Sequence, residues 1–195
     1  MKTIILASTS PRRSEILTNL EIPFITITPP FDEVTPQKMS TIDIPEYFAT
    51  QKALSVLELI PAQYKDSIII GVDTIVVCND IIYGKPKNKK EAKQTLEALS
   101  GKEHTIISGI AAYNQKTQKM ISKTSINTIC VATLSETDID WYLSKNEWTD
   151  AAGSYKIQGL FQRYIISLNG SFSSVKGLPI FEFYDILKKH GYTVV

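Results

Sequence analysis

Two arginines follow an apolar, partly β-branched run in Leu6-Ala7-Ser8-Thr9-Ser10-Pro11-Arg12-Arg13. Thr3 to Ala7 reads as a strand. Ser10 then reads as a helix N-cap, with Pro11 at the first helical position. Arg12 and Arg13 therefore fall in the first turn, where the macrodipole disfavours cations unless an anion joins them. Free backbone N–H groups, the hydroxyls of Ser8 and Ser10 and two guanidinium forks make a setting suited to phosphate. The bland alternative is two arginines on a solvated face.

A second anomaly is Asp73, an acid inside Ile68-Ile69-Ile70-Gly71-Val72-Asp73-Thr74-Ile75-Val76-Val77. A buried carboxylate costs several kcal/mol unless it is paired or holds a metal. Gly71, two residues earlier on the same strand face, removes a side chain where a ligand can approach. Lys85 stands between Gly84 and Pro86, a cation on a fixed irregular backbone. Lys52 lies among apolar residues of an amphipathic helix, and Glu33 in a polar loop. Gln158 stands in Ile157-Gln158-Gly159 of a glycine-bounded segment starting at Ala152, and an amide there can donate to and accept from a base edge at once. Each residue alone has an ordinary structural reading. Together, phosphate-suited arginines and serines, a central acid, a glycine-flanked lysine and a presented amide describe a nucleotide site. Neither a P-loop nor a dinucleotide-binding GxGxxG is present.

The elements that must position these residues alternate along most of the chain, which argues for an α/β or α+β domain. Strands are expected at Thr3 to Ala7, Pro23 to Thr28 and Ser67 to Cys78, the last apolar enough to be central. Asn79-Asp80 turns it back into Ile81 to Tyr83. Further β segments run from His104 to Tyr113 and from Lys119 to Leu134. Helices are expected from Arg12 to Leu20, from Ile44 to Leu59 with Tyr47, Phe48, Leu54 and Leu57 buried, and from Lys89 to Leu99 closed by Gly101. Another starts at the Ser135 cap with Asp138 in a capping box, and a last one runs from Ile180 to His190 after Pro179. Asn169-Gly170 predicts a hairpin joining Arg163–Leu168 to Ser171–Val175. Consecutive hairpins argue against a purely parallel sheet and favour a mixed sheet with helices around it.

The chain of 195 residues suits one substantial core, and a net charge of +1 from 21 basic and 20 acidic residues leaves no global field toward nucleic acid or membrane. The apolar start is too short for a secretory signal, and no stretch approaches the roughly 18 apolar residues of a membrane span. Cys78 and Cys130 are isolated and read as reduced, buried thiols of a cytoplasmic protein. With only His104 and His190 far apart, a zinc site or serine–histidine triad has little material.

In this order the chain resembles the Maf family of nucleoside triphosphate pyrophosphatases. The matching pieces are Leu6-Ala-Ser-Thr-Ser-Pro-Arg-Arg13, Gly71-Val-Asp-Thr74, Gly84-Lys-Pro86, Leu99-Ser-Gly101 with His104, Ala152-Gly-Ser-Tyr-Lys-Ile-Gln-Gly159, Asn169-Gly-Ser171 and Gly177-Leu-Pro179. The resemblance implies a single Maf-like domain over residues 1–195. Its fold is α/β (mixed α+β), a curved mixed β-sheet in two lobes with flanking helices and a central cleft, as in ITPase-like proteins. It implies hydrolysis between the α and β phosphates with a divalent cation, Mg²⁺ or Mn²⁺, and a homodimer as the assembly. Asp73 takes the position of the catalytic proton acceptor. Ser8, Ser10, Arg13, Lys52 and Lys85 match phosphate-binding positions, and Glu33 joins Asp73 at the metal.

Arg12, Thr74 and Gln158 match the specificity positions of the branch similar to dTTP/UTP pyrophosphatases. The sister branch, acting on 7-methylguanosine triphosphate, characteristically has Trp, Gln and Glu there. A cationic methylated purine suits an aromatic platform and a carboxylate, whereas a neutral pyrimidine suits an amide. Phe161-Gln162-Arg163 replaces the smaller stretch common in the family, so Phe161 is expected to narrow the pocket; Lys176 stands where an apolar residue is usual. Two other function classes compete: a nucleotide-binding regulator of cell division or septum formation, and an ITP/XTP-type purine triphosphate pyrophosphatase.

Overall fold

The computed structural model describes residues 3–193. Its strands are β1 (Ile4–Ala7), β2 (Phe24–Ile27), β3 (Ile68–Cys78), β4 (Ile81–Tyr83), β5 (Glu103–Asn114), β6 (Lys119–Val131) and β7 (Ile165–Asn169). They form one sheet in the order β2-β1-β3-β5-β6-β7, with β4 paired to β3 off that path. Pairing is mixed, as the successive hairpin signals require. β1 runs parallel to β2 and β3, whereas β4 and β7 are antiparallel to β3 and β6. The helices are α1 (Pro11–Asn19), α2 (Ile44–Ser55), α3 (Lys89–Leu99), α4 (Glu136–Ser144), α5 (Phe172–Lys176) and α6 (Ile180–Lys189).

The described chain divides into two compact units. The first holds the residues up to Asp73, Ser108–Ser125 and those from Gly177 onward; the second holds Thr74–Ile107 and Ile126–Lys176. In the first, Ile4, Leu6, Ile68, Ile70, Val72 and Ile110 pack with α1 and α6, while Ile5, Ala7 and Ile69 pack with Ala53 and Val56. Both faces of β1 and β3 are covered there, which is why their sequences are near-continuous apolar runs. In the second, Val76, Cys78, Ile106, Ile129 and Val131 pack against α3, α4 and the aromatic set Tyr142, Tyr155, Phe161 and Tyr164.

Three local expectations need correction. The Asn169-Gly170 turn does not close a hairpin: it leads β7 into α5. Gly170 takes φ +131, the Ser171 N–H donates to the Asn127 side chain at 2.7 Å, and the Ser171 carbonyl accepts from Val175 N–H. Once a buried asparagine from β6 satisfies that N–H, a second strand has lost a ladder partner and the chain coils instead. Second, α2 stops at Ser55 and is followed by a 3₁₀ turn at Leu57–Leu59; of Tyr47, Phe48, Leu54 and Leu57 only Phe48 is buried. Small residues, Ala49 and Ala53, face the sheet instead. Third, Cys78 is buried but Cys130 only partly so.

Candidate active site

Helix α2 lies unusually close to the sheet of the first unit because two strands present glycine beneath it. A Cβ at Gly71 of β3 would overlap the Ala49 carbonyl, and one at Gly109 of β5 would overlap the Pro45–Glu46 backbone. The approach expected of a ligand at Gly71 is thus made by a helix. Glu46 fastens the start of α2 by accepting hydrogen bonds from Ser122 and Thr124 of β6 at 2.6 and 2.7 Å. Lys52 is one helical turn beyond Ala49, and Asp73 two residues beyond Gly71, so the seat that aligns one pair aligns the other. The Lys52 Nζ meets Asp73 Oδ1 at 2.6 Å, and both side chains are only 9% exposed. Glu33, from the loop after β2, reaches the same ammonium at 2.6 Å with its side chain 55% exposed. The lysine is buried rather than solvated. Its charge is what makes a buried Asp73 tolerable in an apolar strand.

Ser10 occupies the N-cap position of α1, and Pro11 opens the helix, so Arg12 and Arg13 stand in the first turn as the sequence requires. The Ser10 hydroxyl makes no capping bond; its N–H donates to Ser8 Oγ at 3.1 Å. Arg13 donates from Nη1 to Ser8 Oγ at 3.0 Å and from Nε to the Gly177 carbonyl at 2.9 Å. The Arg13 pKa is lowered to about 10, chiefly by desolvation and also by Arg12, against opposing pulls from Asp73 and Glu33. Arg13 remains a cation at neutral pH and feels both carboxylates of the Lys52 cluster. Ser8, Ser10, Arg12, Arg13, Glu33, Lys52 and Asp73 are therefore one electrostatic neighbourhood.

Thr74, Lys85 and Gln158 belong to the second unit. Thr74 is half-buried on β3. Lys85 follows Gly84, whose carbonyl accepts from Gly153 N–H at 3.2 Å, and Gly153 in turn (φ +70) packs on Val76, leaving no room for a Cβ. The Lys85 side chain is 60% exposed, with its ammonium 4.0 Å from Asp150. Gln158 is half-buried at the tip of a turn closed by Gly159 N–H to the Lys156 carbonyl. Glu147 braces the following residues: it accepts from Leu160 N–H at 2.8 Å, and its carboxylate fills the space a side chain at Gly159 would need. Phe161 does not narrow a pocket. It is fully buried, stacked on Tyr155 at 4.4 Å and edge-on to Tyr142 at 5.0 Å.

Compared with known proteins, residues 3–190 match the family model described as Maf-like protein. The chain belongs to the Maf family. Among curated relatives, a protein of Treponema denticola named dTTP/UTP pyrophosphatase is 36% identical, covering 100% of both chains. Proteins of the same name from Clostridioides difficile (38% identical, 96% of this chain and 94% of that one) and Alkaliphilus metalliredigens (39%, 97% of each) are similar to it as well. Among solved structures, the Ham1 protein of Staphylococcus aureus aligns with TM-score 0.42 and 15% identity over 67% of this chain and 72% of that chain, a distant likeness that decides nothing about fold or site.

Glu33 and Asp73 supply hard carboxylate oxygens that already converge on one positive charge. Among the described residues no group of three or more His, Cys, Asp or Glu side chains gathers to hold an ion. Two carboxylates fit Mg²⁺ or Mn²⁺ of the kind whose remaining positions are taken by water and substrate phosphates, rather than an ion in an all-protein cage. Three residues that brace the candidate residues, two in the first unit and one in the second, escaped the reading of the sequence. Gly109 admits the α2 backbone, Glu46 ties α2 to two hydroxyls of β6, Glu147 holds the Leu160 N–H, and none carries a motif of its own. Gly109 had one legible trace, a glycine inside a β run with no turn around it.

Proposed function

We propose that this Maf protein is a nucleoside triphosphate pyrophosphatase that hydrolyses dTTP and UTP to the monophosphate and pyrophosphate. The observation that carries the reading is the buried Asp73, held at 2.6 Å by Lys52 with Glu33 on the same ammonium and Arg13 in electrostatic reach. A pure nucleotide binder has use for the cations but none for a buried acid between isoleucines and valines. The names of the full-length relatives support the pyrimidine substrates.

In this reading Asp73 orients the attacking water and accepts its proton as the water oxygen joins phosphorus and the α–β anhydride bond breaks, with pyrophosphate as the leaving group. Arg13 and Lys52 neutralise charge on the triphosphate, the Ser10 hydroxyl donates to its oxygens, and Lys85 adds a further cation; the Ser10, Arg13 and Ser14 N–H groups at the α1 start are taken by Ser8 Oγ and the Ser10 carbonyl. A divalent cation held by Glu33 and Asp73, when bound, supplies charge neutralisation at the phosphate oxygens. Arg12, Thr74 and Gln158 set the base preference, Gln158 through an amide that both donates and accepts. The reading extends to a cytoplasmic homodimer, for which light scattering should return twice the 21.8 kDa chain mass.

Pyrophosphate release from dTTP, UTP, CTP, 7-methyl-GTP and ITP, with Mg²⁺ or Mn²⁺, tests the proposal. Turnover is expected on dTTP and UTP above the others. Tight binding without turnover on any of the five would instead favour a regulatory binder of cell division, and preference for ITP a purine enzyme.

A further inference from the structure

The serine that opens the phosphate loop has its acceptor capacity committed elsewhere. Ser8 is 5% exposed, and its Oγ receives the Ser10 N–H at 3.1 Å and the Arg13 Nη1–H at 3.0 Å. A hydroxyl has two acceptor lone pairs and one proton, so both lone pairs are used within its own loop. On the other side of the guanidinium, the Gly177 carbonyl takes the Nε–H at 2.9 Å. That carbonyl comes from the turn leading into α6, 164 residues away in sequence. Gly177 is buried and sits at φ +119, where a side chain would be strained, and the side a Cβ would occupy faces Arg13 Nε at 3.9 Å. The guanidinium is thus fixed at two points, through Nε and through Nη1, which stand on opposite sides of the Nε–Cζ bond. Among the described residues, these two bonds leave three of its five N–H donors, the second on Nη1 and both on Nη2.

We propose that Ser8 is a positioning residue that acts through Arg13, forming with the Gly177 carbonyl a two-point mount that points the free guanidinium edge at phosphate. This deepens the pyrophosphatase reading and rests on it for its kinetic arm. A free arginine side chain has many rotamers to lose when it is ordered. Freezing it before substrate arrives removes that cost from binding and keeps a planar fork in register with an oxyanion. The mount also joins the first helix of the unit to the last, so a substitution far along the chain, in the turn before α6, reaches the phosphate through one arginine.

A double-mutant cycle on the full-length protein tests this. Ser8→Ala is expected to lower kcat/KM for dTTP at least tenfold in the parent, and less than twofold in an Arg13→Lys background, where there is no second guanidinium nitrogen left to hold. Equal losses in both backgrounds would show Ser8 acting on substrate, or on folding, independently of Arg13, and would overturn the proposal. Ser8→Cys, which keeps the volume but offers a poorer acceptor, repeats the cycle if the alanine variant folds badly. A second arm needs no turnover. The Arg13 guanidinium should show slowed rotation about Nε–Cζ by ¹⁵N NMR at low pH, and Ser8→Ala should speed it severalfold. Unchanged rotation refutes the mount even if every triphosphate proves inert, whereas inertness with altered rotation refutes only the pyrophosphatase reading.

Discussion

In the first unit the candidate residues touch one another: Lys52 meets Asp73 and Glu33 at 2.6 Å each, and Arg13 meets Ser8 at 3.0 Å. In the second unit they are held through the backbone beside them. Lys85 is mostly exposed on a loop pinned by Gly84 and Gly153, and Gln158 rides on a turn braced by Glu147. Groups that must carry developing charge gain from being interlocked in a poorly solvated setting, because reorganisation is avoided at the moment of reaction. Groups that choose among bases work by differences of a few kcal/mol and tolerate a softer support. Changes at the interlocked Arg13, Lys52 and Asp73 should therefore cost turnover, and changes at Gln158 of the second unit should shift preference.

The sharpest challenge to that contrast is Asp73→Asn, which keeps the shape and removes the carboxylate charge. Turnover of dTTP is expected to fall by at least about 10³-fold, with the melting temperature within a few degrees of the parent because Glu33 still neutralises Lys52. Retained activity in a pyrophosphate-release assay would move the chemistry off this acid. Lys52→Met should come next. Breaking a buried pair by removing one partner costs about 3–5 kcal/mol, or about 10 °C in melting temperature for a chain of this size. Its kcat/KM should drop about 100-fold. Mn²⁺ should bind the free variant more tightly than the parent, by electron paramagnetic resonance titration, and recover much of the lost melting temperature, since the carboxylates then lack their internal cation. Weaker Mn²⁺ binding would separate Glu33 and Asp73 from the metal.

How far the sequence carried is itself uneven between the units. Strand β3, the Asn79-Asp80 turn, the α3 and α4 caps and the α1 start follow from local rules, and each appears within about two residues of its expected bounds. Asp73 stood out because an acid in an apolar strand contradicts its surroundings. The burial of Lys52 did not, since a lysine on a helix reads the same whether solvated or paired; only Gly71 and Gly109, from two strands and beneath one helix, reveal that α2 sits close enough to bury it. Asn127 misled in the same way. It converts an apparent hairpin into a strand and a short helix by taking the Ser171 N–H from 44 residues away, a tertiary hydrogen bond that no local window contains.

His104 tests whether the second unit is as soft as its exposed lysine suggests. It is 2% exposed, with Nε2 2.7 Å from the Tyr155 hydroxyl and no partner for Nδ1 among the described residues. Burial pushes its pKa down from 6.5 to about 4. A folded-state pKa below the unfolded one means that stability is full above pH 6.5. It is lost as pH falls from 6.5 toward 4, because the unfolded chain takes up the proton first. The loss attributable to this residue is about 3 kcal/mol at the acid end. Urea denaturation at pH 7.5 and pH 4.5 should show it, and His104→Gln should flatten that part of the profile. An unchanged profile would place the acid sensitivity elsewhere.

The smallest effect expected is the one that speaks most directly to the second unit's role. Gln158→Glu keeps the size of the side chain and the turn beneath it, since the Glu147 bond is made to the Leu160 backbone rather than to Gln158. What changes is chemistry at the tip: an amide that donates and accepts becomes an acceptor-only carboxylate. Losing one donor to a neutral pyrimidine, while gaining attraction for a cationic base, should shift the ratio of kcat/KM for dTTP over 7-methyl-GTP about tenfold downward, near 1.4 kcal/mol. The melting temperature should not move. Glu147→Gln, which keeps an acceptor for Leu160 N–H, should leave the ratio intact, whereas Glu147→Ala should blur it by loosening the turn without adding charge. If Gln158→Glu lowers turnover of both substrates equally and leaves their ratio alone, base preference does not reside on this turn, and the division of labour between interlocked charges and braced loops fails at its softer half.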